Sequence, residues 1–259
     1  MTALLATFFL IMILMTLLWL LSLWLKDVSI VDIFWAPGFA IVVWAATLLR
    51  ASPAGIHAAV LQALVTLWAI RLGAHLLVRW RSHQGEDRRY AAMRRKYGPS
   101  WWWWSLFQVF VLQGVLICVI SIPLQMTVAR GPAPLNPLFY IGIAVAACGL
   151  VLEAIADMQL TAFRREAANA DKVMDRGIWR WSRHPNYFGD ALMWWGFYII
   201  ALSASLTLWW TAIGPAIMTF FLLRVSGVTM LEHTIARRRP EYEDYIRRTS
   251  VFIPLPPKR

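Results

Sequence analysis

The sequence predicts an all-α polytopic membrane protein, with seven transmembrane helices in a single integral membrane domain over residues 1–259. Hydrophobic residues make up 59% of the chain, and 16 residues are Trp. A helix crosses the hydrocarbon core of a bilayer with roughly 20 mainly apolar residues. Apolar windows of about this length lie near residues 3–25, 30–49, 57–78, 105–126, 137–156, 187–205 and 206–223.

The positions of the basic residues predict the orientation in the lipid bilayer. The net charge is +11, and all of the 25 Lys and Arg residues except Arg50, Arg71 and Arg130 fall at alternate ends of the windows. Cytoplasmic loops carry an excess of Lys and Arg. We therefore expect the N-terminus outside and the C-terminus in the cytoplasm, with residues 225–259 as a cytoplasmic amphipathic tail. Because topology accounts for the charge, we predict no nucleic-acid partner.

The chain lacks the usual signals for a metal or for a loop-bound nucleotide. Cys118 and Cys148 both fall within predicted spans, and the five His residues do not have the spacing that zinc requires. We therefore predict no metal site. The sequence has no G-x-G-x-x-G and no P-loop, so any nucleotide would bind without these loops.

Residues 182–190, SRHPNYFGD, stand between a basic segment and an apolar window. Pro185 suits the first turn of a helix, because its missing N–H would be unbonded there. A helix that starts at Pro185 places Asn186 and Asp190 on one face and directs its free N–H groups toward Arg183, an arrangement that suits an anion. The alternative is an ordinary helix cap with an arginine beside the membrane. Asp190 favours a functional site, because a carboxylate inside an apolar helix is rarely without a role.

A second carboxylate, Asp32, lies just inside the second window. It forms either a structural ion pair, for which Arg71 of the third window is the candidate partner, or a catalytic acid with a raised pKa. His75 lies four residues after Arg71, on the same helical face, and we interpret it as a packed core residue.

The fifth window is expected to continue as a helix beyond the membrane as far as Arg165. Glu153, Asp157 and Arg164 recur at intervals of four and seven residues, so they share one face of that helix. The acids would lie deep and the arginine near the cytoplasm. This gradient suits a ligand with a phosphate at the cytoplasmic end and a hydrogen-bonding group farther in.

Two cytoplasmic segments each allow more than one interpretation. The loop 81–99 could be a solvated amphipathic helix on the membrane surface, and the four Trp residues of 101–104 mark the return to the bilayer. The tail after Arg224 could be a lid over a site or a solvated surface helix.

Several of these motifs together resemble the steroid 5α-reductase and sterol reductase superfamily. Its C-terminal half is similar to RHPNYxGD at 183–190, YxxY at 242–245 and IP at 253–254. The chain is identified as a member of a bacterial branch, the DUF1295 family. The signatures of this branch are DxSxxDxxW at 27–35, EDxRY at 86–90 and DxQ at 157–159.

The resemblance implies a seven-helix protein of the bacterial inner membrane that binds NADPH on its cytoplasmic face. The positions that match the reductases' cofactor contacts are Asp157, Arg164, Asn186, Tyr187, Asp190, His233 and Tyr245. Arg183 and His184 match the sterol reductases' version of the motif. Arg89 and Tyr90 fall near the loop that meets the adenosine phosphate in the steroid enzymes.

The resemblance further implies an oxidoreductase that reduces the conjugated C=C bond of a steroid-like or other lipid enone. The steroid reductases grip the ketone with a Gln-Glu pair from the second span and a Tyr from the third, and neither matches here by position. The candidates for the catalytic acid are therefore Asp32, oriented by Arg71, and Tyr187. The alternative is an S-adenosylmethionine-dependent membrane methyltransferase of the isoprenylcysteine carboxyl type, which shares the Arg-His-Pro-x-Tyr core.

Overall fold

The computed structural model describes residues 2–82, 85–169, 171–225 and 241–258, and His233 lies outside them. These residues are mainly helical, and no strand occurs among them. The chain divides into two compact units, Met1–Pro134 and Leu135–Arg259. The single membrane domain expected from the sequence stays a prediction.

Apolar helices confirm the all-α membrane class. In the described part of the chain, six helices are long and apolar enough to cross a membrane: Thr2–Leu25, Ile30–Leu48, Gly55–Ser82, Arg88–Ile120, Pro137–Arg165 and Leu206–Arg224. The predicted window 187–205 also forms a helix, Pro185–Ala204, but it is not among these six. The chain is therefore an integral membrane protein, whereas the count of seven spans and the orientation stay predictions.

The first unit contains seven α-helices among the residues that the structure describes. They are α1 (Thr2–Leu25), α2 (Ile30–Leu48), α3 (Gly55–Ser82), α4 (Arg88–Tyr97), α5 (Trp101–Ser105), α6 (Leu112–Ile120) and α7 (Ile122–Arg130). A π-helical segment, Leu106–Val111, joins α5 to α6. The α-helix is interrupted at Ser121, because Pro123 cannot donate a backbone hydrogen bond to the preceding turn.

Helices α2 and α3 form the core of the first unit. The rings of Phe39 and Trp68 lie 5.7 Å apart, and both side chains are fully buried. Gly73 allows a close approach, since a Cβ there would lie 3.3 Å from Cγ of Pro37. This packing fixes the start of α2, which carries Asp32.

The second unit contains four α-helices among its described residues. They are α8 (Pro137–Arg165), α9 (Pro185–Ala204), α10 (Ile213–Phe220) and α11 (Glu241–Arg248). Two sequence predictions are confirmed, because α8 extends to Arg165 and α9 begins at Pro185. Asn136 caps α8 by accepting a hydrogen bond from the backbone N–H of Phe139 at 3.2 Å.

Glycines bring α8 and α9 into backbone contact. A Cβ on Gly189 would lie 2.6 Å from the backbone nitrogen of Glu153, and one on Gly149 would lie 2.4 Å from that of Met193. Gly196 makes a similar approach to Ala146. Small residues that permit such contact are typical of helix pairs in membranes, where dispersion forces rather than water drive association. The α8–α9 pair is therefore the rigid frame of the second unit.

Candidate functional site

Polar side chains of α8 and α9 come together toward the ends of these helices that are predicted to face the cytoplasm. The Asn186 amide donates a hydrogen bond from Nδ2 to Oδ1 of Asp157 over 3.2 Å. Glu153 lies one turn before Asp157, beside Gly189, and Asp190 lies one turn after Asn186. Because the glycines hold the two backbones together, these four side chains form what we call the α8–α9 polar cluster.

The α8–α9 polar cluster is shielded from solvent. Glu153, Asp157 and Asp190 are 4%, 8% and 6% exposed, and Asn186 is half-buried. Burial of a carboxylate is costly unless other groups bind it. Acids inside apolar helices commonly mark a functional site, so Glu153, Asp157 and Asp190 make this helix pair a candidate ligand-binding site. The structure thus places the sequence-predicted Asp157, Asn186 and Asp190 in one region.

Arg183 has a different setting from the one that its motif suggests. Its Nη1 donates hydrogen bonds to the carbonyl oxygens of Ile246 at 2.8 Å and Thr249 at 3.2 Å. Its backbone N–H also donates to the carbonyl of Ser250. Cations stabilise the unpaired carbonyls at the C-terminus of a helix, so Arg183 caps α11 and anchors the tail to the segment before α9.

The neighbouring residues strengthen this attachment of the tail. The Ser182 hydroxyl donates to the carbonyl of Phe252 at 2.8 Å, and the backbone N–H of Leu255 donates to the carbonyl of Trp181 at 3.0 Å. The described tail residues are therefore fastened to the segment 181–183. Of the two interpretations of the tail, a freely solvated surface helix is wrong for this part.

Tyr245, a predicted cofactor contact, is one of the residues that fasten the tail. Its hydroxyl donates to the carbonyl of Trp179 at 2.5 Å, with the carbonyl of Ser182 3.3 Å away. The side chain is 2% exposed. Burial raises the pKa of Tyr245, and the nearby Tyr242 and Asp175 raise it further. The phenol is therefore kept protonated as a donor to the backbone.

The other predicted residues of the second unit differ in exposure. The rings of His184 and Tyr187 are stacked, with their centroids 5.6 Å apart, and His184 is buried while Tyr187 is half-buried. Arg164 is exposed near the end of α8, as the predicted gradient from acids to arginine requires. His233 lies outside the described residues, so its assignment stays a prediction.

In the first unit, Asp32 is bound by two side chains from α4. Arg89 Nη2 lies 2.6 Å from one carboxylate oxygen, and the Tyr90 hydroxyl donates to the other at 2.7 Å. Arg89 is an ion-pair partner of Asp32 that the sequence did not predict, and the pairing of Asp32 with Arg71 stays a prediction. An arginine and a tyrosine that bind one carboxylate hold its position through charge-assisted hydrogen bonds.

A second layer of polar contacts holds the loop before α4 in place. Both carboxylate oxygens of Glu86 accept hydrogen bonds from Arg94, and one of them also accepts the backbone N–H of Val28. Asp27 accepts a hydrogen bond from the Trp80 indole at 2.7 Å. Glu86 therefore attaches this loop to α4 and to the segment before α2, and the interpretation of α4 as an amphipathic surface helix stays a prediction.

Asp87 is the N-cap of α4, and its surroundings shift its pKa. Its carboxylate accepts from the backbone N–H and from Nε of Arg89, both at 2.9 Å, and its own N–H donates to the Ser29 hydroxyl. Burial alone would raise the pKa of Asp87, but the hydrogen bonds and charge of Arg89 outweigh it and hold that pKa below its usual value. Asp87 is thus an ionised N-cap that orients Arg89 toward Asp32.

Gln113 is a site residue that the sequence reasoning missed. Its Nε2 lies 3.3 Å from the Tyr90 hydroxyl, while its Oε1 is buried without a hydrogen-bond partner among the described residues. An acceptor left over in a buried site can bind a ligand's hydroxyl. An isolated Gln in an apolar window is weak evidence, and its contact with a tyrosine 23 residues away cannot be read from spacing. We call Asp32, Arg89, Tyr90 and Gln113 the Asp32 network.

Comparisons with known proteins identify relatives and leave the chemistry open. The chain is 26% identical over 216 residues to "Uncharacterized protein C594.04c" of Schizosaccharomyces pombe, a match that covers 73% of this chain. The chain spans 61% of the length of that curated relative. No solved structure matches the chain. The model of the family described as "Protein of unknown function (DUF1295)" matches residues 18–249, so the chain belongs to the DUF1295 family.

Proposed function

We propose that this protein is an NADPH-dependent membrane reductase that acts on the conjugated C=C bond of a lipid-like enone, such as a steroid. The observation that carries the proposal is the α8–α9 polar cluster, in which Asp157 and Asn186 are in contact inside an apolar helix pair. These residues, with Asp190, are also those that the resemblance to the sterol reductases assigns to the cofactor.

The residues of the cluster suit the polar groups of a nicotinamide nucleotide. An amide such as Asn186 both donates and accepts hydrogen bonds, and carboxylates such as Asp157 and Asp190 accept them from ribose hydroxyls or a carboxamide. Arg164, exposed at the end of α8, suits a phosphate. Bound NADPH would supply a hydride, and the protein's part is to bind and orient it. Arg183 and Tyr245 would act indirectly, because their hydrogen bonds fasten the tail.

The Asp32 network supports a second part of the proposal. It joins a carboxylate, a phenol and an amide, the groups that the steroid reductases direct at the substrate's ketone, although they come from other positions in this chain. We assign the carbonyl-binding role to the Tyr90 hydroxyl rather than to Asp32, with Asp32 and Arg89 as positioning residues. The alternative, implied by the resemblance, is that Arg89 and Tyr90 contact the cofactor.

In the proposed reaction, a hydride forms the new C–H bond at the β-carbon of the enone. The π electrons of the C=C bond then move toward the carbonyl oxygen, where the Tyr90 hydroxyl, turned from Asp32 to the substrate, stabilises the developing charge. A proton adds to the α-carbon and restores the carbonyl group. Tyr187, half-buried beside His184, is the candidate donor of that proton.

The cofactor assignment is tested by thermal stability of the purified protein with NADPH, NADH and S-adenosylmethionine. We expect a rise in melting temperature with NADPH, since a ligand that binds only the folded state stabilises it. Asp190→Ala should abolish this rise. Asn136→Ala is the matched control, because Asn136 caps the opposite end of α8; it should lower the melting temperature but keep the rise. Stabilisation by S-adenosylmethionine alone would reject the reductase proposal in favour of the methyltransferase.

The role of Tyr90 is tested by NADPH oxidation in the presence of a steroid enone. Loss of a hydrogen bond to a developing oxyanion costs about 100-fold in kcat, so Tyr90→Phe should show a loss of this size with a normal NADPH-induced shift. Tyr97→Phe is the control on the same helix, because the Tyr97 hydroxyl contacts Gln108. Equal activities of the two variants would remove Tyr90 from the reaction.

A further inference from the structure

The second unit contains a basic pocket that the proposed reaction does not use. It is a surface cavity of about 440 Å³ between the turn Gly177–Arg180 and the end of the tail. Its charged lining consists of Asp175, Arg176, Arg180, Arg248 and Lys258. Four cations and one carboxylate leave it with a clear positive surplus. We call it the tail pocket.

The walls of the tail pocket are fixed by bonds within the protein. Arg248 forms an ion pair with Asp175 at 2.5 Å, and the backbone N–H of Lys258 donates to the carbonyl of Arg248 at 2.9 Å. Asp175 is therefore already neutralised. Arg176, Arg180 and Lys258 are exposed and form no ion pair with any residue that the structure describes. Their charge is available to an anion.

Exposed apolar side chains accompany the tail pocket. Trp181 follows Arg180 directly and is 46% exposed, while Ile253 and Leu255 of the tail are 56% and 52% exposed. The backbone hydrogen bond between Leu255 and Trp181 keeps these side chains on the same part of the surface. Trp beside basic residues is typical of the membrane–water interface, where the ring lies at the level of the headgroups.

We propose that the tail pocket binds the phosphate of an anionic phospholipid from the membrane that holds the protein. The free cations would contact the phosphate, and Trp181, Ile253 and Leu255 would lie in the interfacial layer. The ligand chemistry is a phosphate anion, and the apolar rim favours a lipid headgroup over a phosphate free in solution. Each basic residue near an anionic membrane surface strengthens binding severalfold. This proposal is independent of the proposed reductase activity.

The test compares two double variants with equal charge change in lipid nanodiscs. Arg176→Gln/Arg180→Gln removes two positive charges from the tail pocket and leaves the Arg248–Asp175 ion pair intact. Arg95→Gln/Lys96→Gln is the control, because both residues are exposed on α4. The measurement is the amount of phosphatidylglycerol that stays bound when the purified protein is released from mixed phosphatidylglycerol–phosphatidylcholine nanodiscs and examined by native mass spectrometry.

We expect the pocket variant to retain phosphatidylglycerol about tenfold or more weakly than the wild type, with the control within about twofold. Inorganic phosphate at millimolar concentration should not displace the lipid. Equal retention by both variants, or displacement by phosphate, would overturn the proposal. A weakened NADPH-induced thermal shift with unchanged lipid retention would also overturn it, because the pocket would then serve a nucleotide phosphate. A normal melting temperature of the pocket variant in phosphatidylcholine alone verifies its folding.

Discussion

The contact between α8 and α9 leads to a sharp prediction for Gly189→Ala. The added Cβ would lie 2.6 Å from the backbone nitrogen of Glu153 and 2.7 Å from the carbonyl oxygen of Gly149. Both are backbone atoms, so no side chain can rotate to make room. Ordinary contact begins near 3.4 Å, and the helices must therefore separate by about 0.8 Å at this level.

That separation is large enough to break the α8–α9 polar cluster. Added to the 3.2 Å between Asn186 and Asp157, a movement of about 0.8 Å brings the distance to about 4 Å, beyond the range of a hydrogen bond. Overpacking costs about 1–3 kcal/mol, and alanine returns about 1 kcal/mol through its higher helix propensity. We therefore expect a small loss of stability, up to about 2 kcal/mol, but a large loss of NADPH-induced stabilisation.

The assay is thermal unfolding of the purified protein with and without NADPH. Gly114→Ala is the matched control, because the nearest obstacle to a Cβ there is the mobile end of the Met12 side chain. The control should keep both its melting temperature and its response to NADPH. A Gly189→Ala protein that responds to NADPH like the wild type would refute the link between helix contact and the cluster.

Three further predictions concern the tail and the first unit. Arg183→Met removes the donor to the carbonyls of Ile246 and Thr249, so limited proteolysis should cleave the tail of this variant faster than that of the wild type. Equal cleavage rates would contradict the capping role of Arg183. The raised pKa of Tyr245 means that its neutral form stabilises the fold fully below about pH 10 and that this contribution is lost as the pH rises further. The stability advantage of the wild type over Tyr245→Phe should therefore shrink in alkaline solution. A difference that stays constant with pH would contradict this prediction. The lowered pKa of Asp87 has the opposite effect, because its contribution to stability is present above about pH 4 and is lost as the pH falls. Acid should therefore erase the difference in stability between the wild type and Asp87→Asn. A difference in stability that survives at pH 2 would contradict the assignment.

Local patterns predicted much of the second unit. The fixed φ of Pro185 and the four-residue spacing on α8 depend only on neighbouring residues, and they correctly predicted where α9 starts and which acids of α8 are buried. The contact of Asp157 with Asn186 followed once both helices were placed side by side. The attachment of Arg183 to the tail was not predicted, because it joins residues more than sixty positions apart through backbone carbonyls, which carry no residue-type signal.

In the first unit, the sequence did not predict Arg89 as a partner of Asp32. Arg71 was chosen because it lies within an apolar window, where a charge needs a counterion. Arg89 lies in a segment that the sequence suggested to be solvated. Asp87, the N-cap of α4, and the ion pair between Glu86 and Arg94 direct Arg89 toward α2. Such long-range loop geometry depends on several weak contacts acting together, and spacing along the chain does not encode it.

Equilibrium titration with NADPH tests the central claim most directly, namely that the amide and acids of the α8–α9 polar cluster hold a nicotinamide cofactor. The wild type should bind NADPH, and Asn186→Ala should raise its Kd by about tenfold, the effect of losing about one hydrogen bond to the ligand, while Asn136→Ala leaves the Kd unchanged. A wild-type protein that shows no saturable binding of NADPH, or an Asn186→Ala protein with the wild-type Kd, would contradict the account.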